Sequence, residues 1–165
     1  MRGKKLVDAF KEFMRNVPQP VFIAISKDSD GELGGLTVSS FTSISIEPLL
    51  VMVAIDRNAR SFIHFKYSIG WTVSLLGEKQ SLISGTFANP RISMEERFER
   101  VKLGYSPNLK VPYIKDAVAF MECEPYDSFE AGDHFIFLGK VVHAEILSGE
   151  KPLIYYRKHY TTVKD

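Results

Sequence analysis

Cysteine is almost missing from this chain: among 165 residues only Cys123 is one. That excludes an internal disulfide framework and a cysteine-based metal cluster, and it makes a small buried apolar site the expected place for the lone thiol. Net charge is nearly missing too. Lys and Arg number 21 against 20 Asp and Glu, a formal net charge of +1 at pH 7. Such a balance gives no electrostatic ground for binding nucleic acid or an anionic membrane. No apolar run approaches the roughly 20 residues that cross a bilayer. The start, MRGKKLVDAFKEFM, is charged and amphipathic. It has neither the apolar region nor the small-residue cleavage site of a secretory signal, so a cytoplasmic protein is expected. Neither G-x-G-x-x-G nor G-x-x-x-x-G-K-S/T occurs; Gly31, Gly34 and Gly35 are spaced otherwise, which argues against a dinucleotide-binding α/β fold. His64, His134, His143 and His159 form no HxxxH or HxH pair, so no metal site is expected. No G-x-S-x-G elbow supports a Ser-His-Asp triad.

What the chain does have is a series of short strand-like segments, in a length that fits one domain over residues 1–165. Leu6, Phe10, Phe13 and Val17 recur at helical spacing, and Pro18 and Pro20 stop that helix. Strands are expected at 21–26, 36–46, 49–55, 71–76, 117–125 and 133–147, with Gly139 marking a bulge or bend in the last. Segment 27–35 reads as a turn closing a hairpin. Glu47-Pro48 interrupts the hydroxyl-rich strand, because proline removes a ladder donor. The apolar run 49–55 looks buried on both faces. Short helices are expected at 61–67, 78–87 and 93–101. Asn58 and Ser61 are both plausible caps for the first, and Ser93 with Glu96 has capping-box spacing in the last. The polar character of 93–101 suggests an exposed surface helix or lid. Segment 104–112 reads as loop, 129–132 and 149–152 as turns, and 153–160 as the end of the ordered chain. Several short strands with few helices favour a closed or partly closed antiparallel barrel with peripheral helices.

Two stretches carry chemical interest. Residues 36–46 hold Thr37, Ser39, Ser40, Thr42, Ser43 and Ser45, while Val38, Phe41, Ile44 and Ile46 do not alternate cleanly. This is either an edge strand decorated with hydroxyls or a bent backbone offering its own N–H and C=O groups to a planar heterocycle. Residues 56–61, DRNARS, lie between a buried strand and a helix start. They are either a solvated loop with a cap or an anion site, where backbone amides, the helix dipole, Arg57, Arg60 and Ser61 would meet a phosphate. His134 opens an apolar strand behind Gly132 and Asp133, at a sheet rim.

Three segments, in order, resemble the flavin reductase-like, FMN-binding split-barrel family. They are GGLTVSSFTSISIEPLLVMVAIDRNARSF, WTVSLLGEKQSLISGTFA, and GDHFIFLGKVVHAEILSGEKPLIYYRKHY with its GDH, its G-x-V-V and its PL-x-YY-x-x-x-Y. The likeness runs from about Pro20 to Tyr160. It implies a mainly β, antiparallel split β-barrel with short peripheral α-helices, and a homodimer. It also implies an NAD(P)H-dependent flavin reductase that uses FMN, with FAD possible, and NADH or NADPH as co-substrate. Many similar proteins supply reduced flavin to a partner monooxygenase; others are ferric reductases, and a non-enzymatic FMN-binding or electron-transfer protein on the same fold is the alternative. By position, Leu36, Thr37, Val38, Ser39 and Ser40 would lie along the isoalloxazine, largely through backbone groups. Asp56, Arg57, Asn58 and Ser61 would take the ribityl and phosphate end, with Arg60 nearby. Phe87 would border the flavin, His134 would orient the nicotinamide side with proton assistance, and Tyr156 and Arg157 would reach the site in the dimer. Two departures stand out: Ser74 where the family often has Asn, and Ser84-Gly85 in place of a basic pair.

Overall fold

A computed structural model describes residues 2–164. The chain opens with α1 (Arg2–Arg15), an amphipathic helix whose apolar Leu6, Phe10 and Phe13 are exposed. After the two prolines come β1 (Gln19–Pro20) and β2 (Phe22–Asp28), which pairs with β3 (Leu33–Val38) as the expected hairpin. The turn is shorter than expected. Asp28 Oδ1 accepts from the Asp30 and Glu32 amides at 3.0 and 2.9 Å, and Gly31 takes φ +84. Gly34 and Gly35 therefore belong to the strand, not the turn. Their lack of a side chain serves close packing instead: a Cβ on Gly34 would stand 2.8 Å from His64 Cβ.

The hydroxyl-rich run is not one strand. It breaks after β3, and β4 (Thr42–Ser45) begins on the far side of the sheet. Next come β5 (Leu50–Asp56), α2 (Phe62–Lys66), β6 (Ser68–Leu75), α3 (Ser81–Ala88) and α4 (Met94–Glu99). A small hairpin, β7 (Leu103–Tyr105) with β8 (Pro112–Ile114), stands where only loop was expected. The long strands β9 (Ala119–Ala131) and β10 (His134–Ile146) follow. The chain closes with β11 (Ile154–Tyr156) and β12 (His159–Thr161), which form a three-stranded sheet with β1.

The main sheet has seven antiparallel strands in the order β3-β2-β6-β9-β10-β5-β4. Its two edge strands are consecutive in sequence and are joined only by residues 39–41. Four Cα steps reach at most about 14 Å, whereas seven flat strands span roughly 29 Å. The sheet must therefore curl until its edges approach. It does not close: no ladder joins β3 to β4 or β5 among the described residues. The Ser40 hydroxyl stitches this seam, donating to Ala54 O at 2.7 Å and accepting from Ala54 N at 3.1 Å.

Two cores follow from the curl. Ala24, Val53, Ile55, Trp71, Cys123 and Phe137 fill one face, while Ile23, Ile25, Leu76, Phe87 and Val111 fill the other. The strand buried on both faces is thus β2, whose residues alternate between the two cores. In β5, Val51, Val53 and Ile55 are buried but Met52 and Ala54 only partly so, because the layer that covers β2 does not extend over β5. Cys123 is buried as expected, and burial pushes its thiol pKa far up. The bulge at Gly139 is present, with a register shift between Leu138 and Gly139. Any side chain there would collide with Trp71. Gly139 faces Pro125, so β9 continues past the proline that was expected to end it. No helix is long and apolar enough to cross a membrane among the described residues.

Candidate functional site

Gly35 sits where three elements converge on β3. Its carbonyl accepts from the Ser61 hydroxyl at 3.0 Å and from Arg97 Nη1 at 2.8 Å. Its amide faces Met94 Sδ at 3.2 Å. Both backbone groups of Gly35 therefore use the outer edge of β3, and strand period 2 turns the N–H and C=O of Thr37 to that same edge. Along it runs a cleft of 360 Å³ lined by Leu36, Thr37, Asn58, Arg60, Ser61, Phe87 and Arg97. A second groove of 230 Å³ continues it past Ser39, Ser84, Tyr155 and Tyr160, sharing Thr37 and Ala88. Thr37 Oγ1 donates to Ser84 O at 2.7 Å, and Ser84 Oγ bonds Tyr160 OH at 2.8 Å. The Ser84 position, which lacks the basic residue of the family pattern, here ties α3 to both walls.

The residues singled out in the sequence divide into four groups. Leu36, Thr37, Ser39, Asn58, Arg60, Ser61 and Phe87 line the connected clefts. Val38 points into the core and Ser40 is spent on the seam, so at these positions only the backbone can serve a ligand. Asp56, Arg57 and His134 gather elsewhere, at the end of β5 and β10 where Asp56 faces His134 across the ladder. Asp56 Oδ1 accepts from Asn58 N at 2.8 Å. The Arg57 guanidinium turns away from the cleft, bonding Gly132 O at 2.6 Å and Glu130 at 3.0 Å. His134 Nδ1 bonds Asp133 Oδ1 at 2.7 Å; that hydrogen bond, with the histidine and Arg57 charges, holds the Asp133 carboxyl below the usual range. Arg157 lies at the C-terminal end of α1, where its amide donates to Arg15 O at 3.1 Å and its Nη2 bonds Asn16 Oδ1 at 2.6 Å, and its guanidinium covers the Tyr156 ring. They do not reach the cleft of their own chain.

The anion reading of residues 56–61 is altered in detail. The helix after the loop is a single short turn, and Ser61 occupies its cap position without capping, since its hydroxyl goes to Gly35. The amides of Arg57, Asn58 and Ala59 are taken by Asp133 O, Asp56 Oδ1 and Asp56 O.

Sequence reasoning missed Arg97 and read its helix as exposed. Ser93 does cap α4, accepting from Glu96 N at 3.1 Å. Yet Phe98 packs edge-on to Phe87 with centroids 5.6 Å apart, and Arg97 is 5 % exposed. Helical periodicity was the available signal, since it puts Met94, Arg97, Phe98 and Val101 on one face. Ser74 also finds its reason: it is buried, and its hydroxyl accepts from Ile114 N at 3.1 Å, holding β8 to β6.

Fold and cleft together define a mainly β protein with connected grooves along one sheet edge. The sequence profile of the flavin reductase like domain matches residues 14–164. A flavin reductase of Pseudomonas putida is 30% identical over 151 residues, which is 92% of this chain and 86% of that protein. The reductase component of a flavin-dependent trigonelline monooxygenase of Acinetobacter baylyi is 33% identical over 159 residues, 96% of this chain. The chain spans about half of that relative's length, 48%, and also 48% of a Rhizobium meliloti relative that is 34% identical. Among solved structures, flavin reductase HpaC complexed with NADP+ superposes with a TM-score of 0.85 at 29% identity, covering 95% of this chain and 97% of that one. The chain belongs to the flavin reductase like domain family.

Proposed function

We propose that this protein is an NAD(P)H:flavin oxidoreductase that passes hydride from NADH or NADPH to FMN or FAD and supplies reduced flavin to a partner monooxygenase. The observation that carries the reading is the groove along β3, where the outward backbone of Thr37 lies between the polar end at Asn58, Arg60 and Ser61 and the tyrosines of the second groove. The residues fit a flavin nucleotide: a strand edge with backbone donors and acceptors suits a heterocycle, and a cationic end suits a phosphate. Flavin, when bound, supplies the ring that accepts hydride. The chain's part is to hold the two rings in register and to keep water from between them. Leu36 and Phe87 give apolar walls, and Thr37 and Ser39 give backbone hydrogen bonds. His134, held by Asp133 at the sheet rim, orients the nicotinamide.

The reading includes a split barrel for the curled sheet, a homodimer and a cytoplasmic location. Exposed Ile44, Ile46 and Leu49, and an apolar cleft of 340 Å³ that includes Phe22, Phe41 and the exposed Ile146, support self-association. In a dimer, Tyr156 and Arg157 would serve the partner's groove. Sedimentation should give twice the chain mass; a monomer at micromolar concentration would remove the dimer from the reading.

The test of activity is direct. Purified protein with free FMN should consume NADH or NADPH, followed at the nicotinamide absorbance band. Flavin binding without nicotinamide oxidation would leave a flavin carrier and end the reductase reading. For His134→Ala, we expect kcat/KM for the nicotinamide to fall about 10- to 100-fold, a loss of one positioned contact worth about 1.4–2.7 kcal/mol, with flavin affinity unchanged. Unaltered turnover would take His134 out of the site.

A further inference from the structure

We propose that α1 is a docking helix, and that its occupant is an acidic amphipathic helix of another protein. The inference does not depend on the flavin reading. Residues 3–15 are all exposed. α1 joins the body at its end, where Arg157 N donates to Arg15 O at 3.1 Å and the Arg157 guanidinium holds Asn16 Oδ1. Leu6, Phe10 and Phe13 are 72%, 64% and 69% exposed, with Val7 and Met14 beside them. Their spacing makes one apolar stripe along the helix. Such a stripe normally faces a core, and a lone helix of 14 residues is marginal in water without one. A straight stripe of this kind is covered by a second helix, with side-chain ridges set into grooves. The charge beside the stripe sets the sign of that helix. Lys4, Lys11 and Arg15 stand seven and four residues apart, so they form one row, roughly 16 Å long.

The row runs into a groove of 260 Å³, lined in part by Phe10 and Met14 of α1, Tyr155 of β11 and the cations Lys11, Arg15, Arg157 and Lys158. No carboxylate lines it among the described residues. Arg15 is paired with Glu12 at 3.1 Å, but Lys11 and Lys158 have no ion pair among the described residues. Arg157 and Lys158 form the two-residue turn from β11 to β12, both at positive φ, 48 and 66. Glycine or asparagine would meet that backbone with less strain, so the turn keeps its two charges against local preference. Two other occupants fit less well. Against α1 of a second copy, like charge would meet like, because Lys4, Lys5, Lys11 and Arg15 outnumber Asp8 and Glu12. A lipid surface is flat and places no side chain in the groove, and the whole chain's net charge of +1 gives it little pull. A helix with an apolar side and a carboxylate flank meets the stripe, the row and the groove at once.

The probe is a labelled synthetic helix about three heptads long, with leucine at its core positions and glutamate along both flanks. Binding to the full chain is read by fluorescence anisotropy. A counterpart carries lysine in place of glutamate. The glutamate helix should bind with a Kd on the order of micromolar, and the lysine helix at least about tenfold more weakly. Lys4→Glu with Lys11→Glu should weaken the glutamate helix about 10- to 100-fold and tighten the lysine helix. Leu6→Gln with Phe13→Gln should weaken both. All four side chains are exposed, so both variants should keep the wild-type melting temperature. No binding of the glutamate helix at about 100 μM, or equal binding of the two helices, overturns the inference. Two further arms separate the other occupants. If Leu6→Gln with Phe13→Gln turns a wild-type dimer into a monomer in sedimentation, the stripe is a contact between copies and the inference falls. If wild type sediments with phosphatidylserine vesicles and does not bind the glutamate helix, α1 is a lipid anchor and the inference falls.

Discussion

Gly35→Ala is expected to lower the melting temperature by roughly 3–10 °C, the effect of about 1–3 kcal/mol of overpacking in a domain of this size, and to abolish tight flavin binding. The new Cβ would stand 2.8 Å from Phe87 Cε1 and 2.9 Å from Phe98 Cζ. Neither ring has room to yield, since each packs on the other and Phe87 is 1% exposed. The rings belong to α3 and α4, so relief must come from lifting those helices off β3. That movement also pulls Arg97 from the Gly35 carbonyl, which Ser61 shares, and it deforms the cleft from its floor. Thermal unfolding and flavin titration on the same protein check both parts. Gly85→Ala is the matched control: it lies within α3, nothing stands within 4 Å of its added carbon, and alanine favours helix by about 1 kcal/mol. It should be neutral or stabilising. A Gly35→Ala protein as stable as Gly85→Ala would show that the two rings are not held as described.

Glu122→Leu should cost about 3–5 kcal/mol, because it leaves several buried donors without an acceptor at roughly 1–3 kcal/mol each, a large part of an ordinary domain's stability. Glu122 is fully buried in β9. Its carboxylate receives Ser106 Oγ and Leu109 N at 2.5 Å, Asn108 Nδ2 at 2.8 Å and Asn108 N at 3.3 Å. Burial alone would raise its pKa, but these donors outweigh burial and hold the carboxyl below its ordinary 4.5. The sign follows. The folded state binds the Glu122 proton less readily than the unfolded state, so this contribution is complete above the unfolded value and is lost as pH falls through the folded one. Urea unfolding of wild type should therefore weaken on acidification below about pH 4.5. In Glu122→Gln, which cannot titrate, that portion of the slope should be missing. An identical acid slope in both proteins would assign the loss to other carboxyls. The hairpin β7–β8 is what the carboxylate secures, so hydrogen exchange in residues 103–114 should rise first in the leucine variant.

Much of this was legible in the chain because it depends on neighbours in sequence. The apolar period of α1, the hairpin of β2 with β3, the cap at Ser93 and the bulge at Gly139 all arise within a few residues. The segments around Leu36–Ser40 and residues 56–61 also announced themselves, by hydroxyls, arginines and position between elements. The errors have one form. β5 read as doubly buried because an apolar run does not record which layer covers it, whereas β2, a run of similar length, carries both cores. Residues 36–46 read as one strand because nothing local tells a chain that Val38 and Thr42 belong to opposite edges of a curled sheet. Arg97 read as a solvated charge because its partners, Gly35 and Asn89, come from other elements.

The sequence by itself therefore determined the class of the protein: many short antiparallel strands, few helices, and the order of three segments that places it in its family. Only the tertiary structure decided the composition of the cleft. It turned Arg57 outward and Arg97 inward, spent Ser40 on the seam, and brought Tyr155 and Tyr160 from the far end of the chain to the groove beside Thr37. The reason is physical. Strand and helix periodicities are set by local backbone geometry, but the partner of a polar side chain is set by which distant carbonyl or carboxylate the curl of the sheet delivers to it.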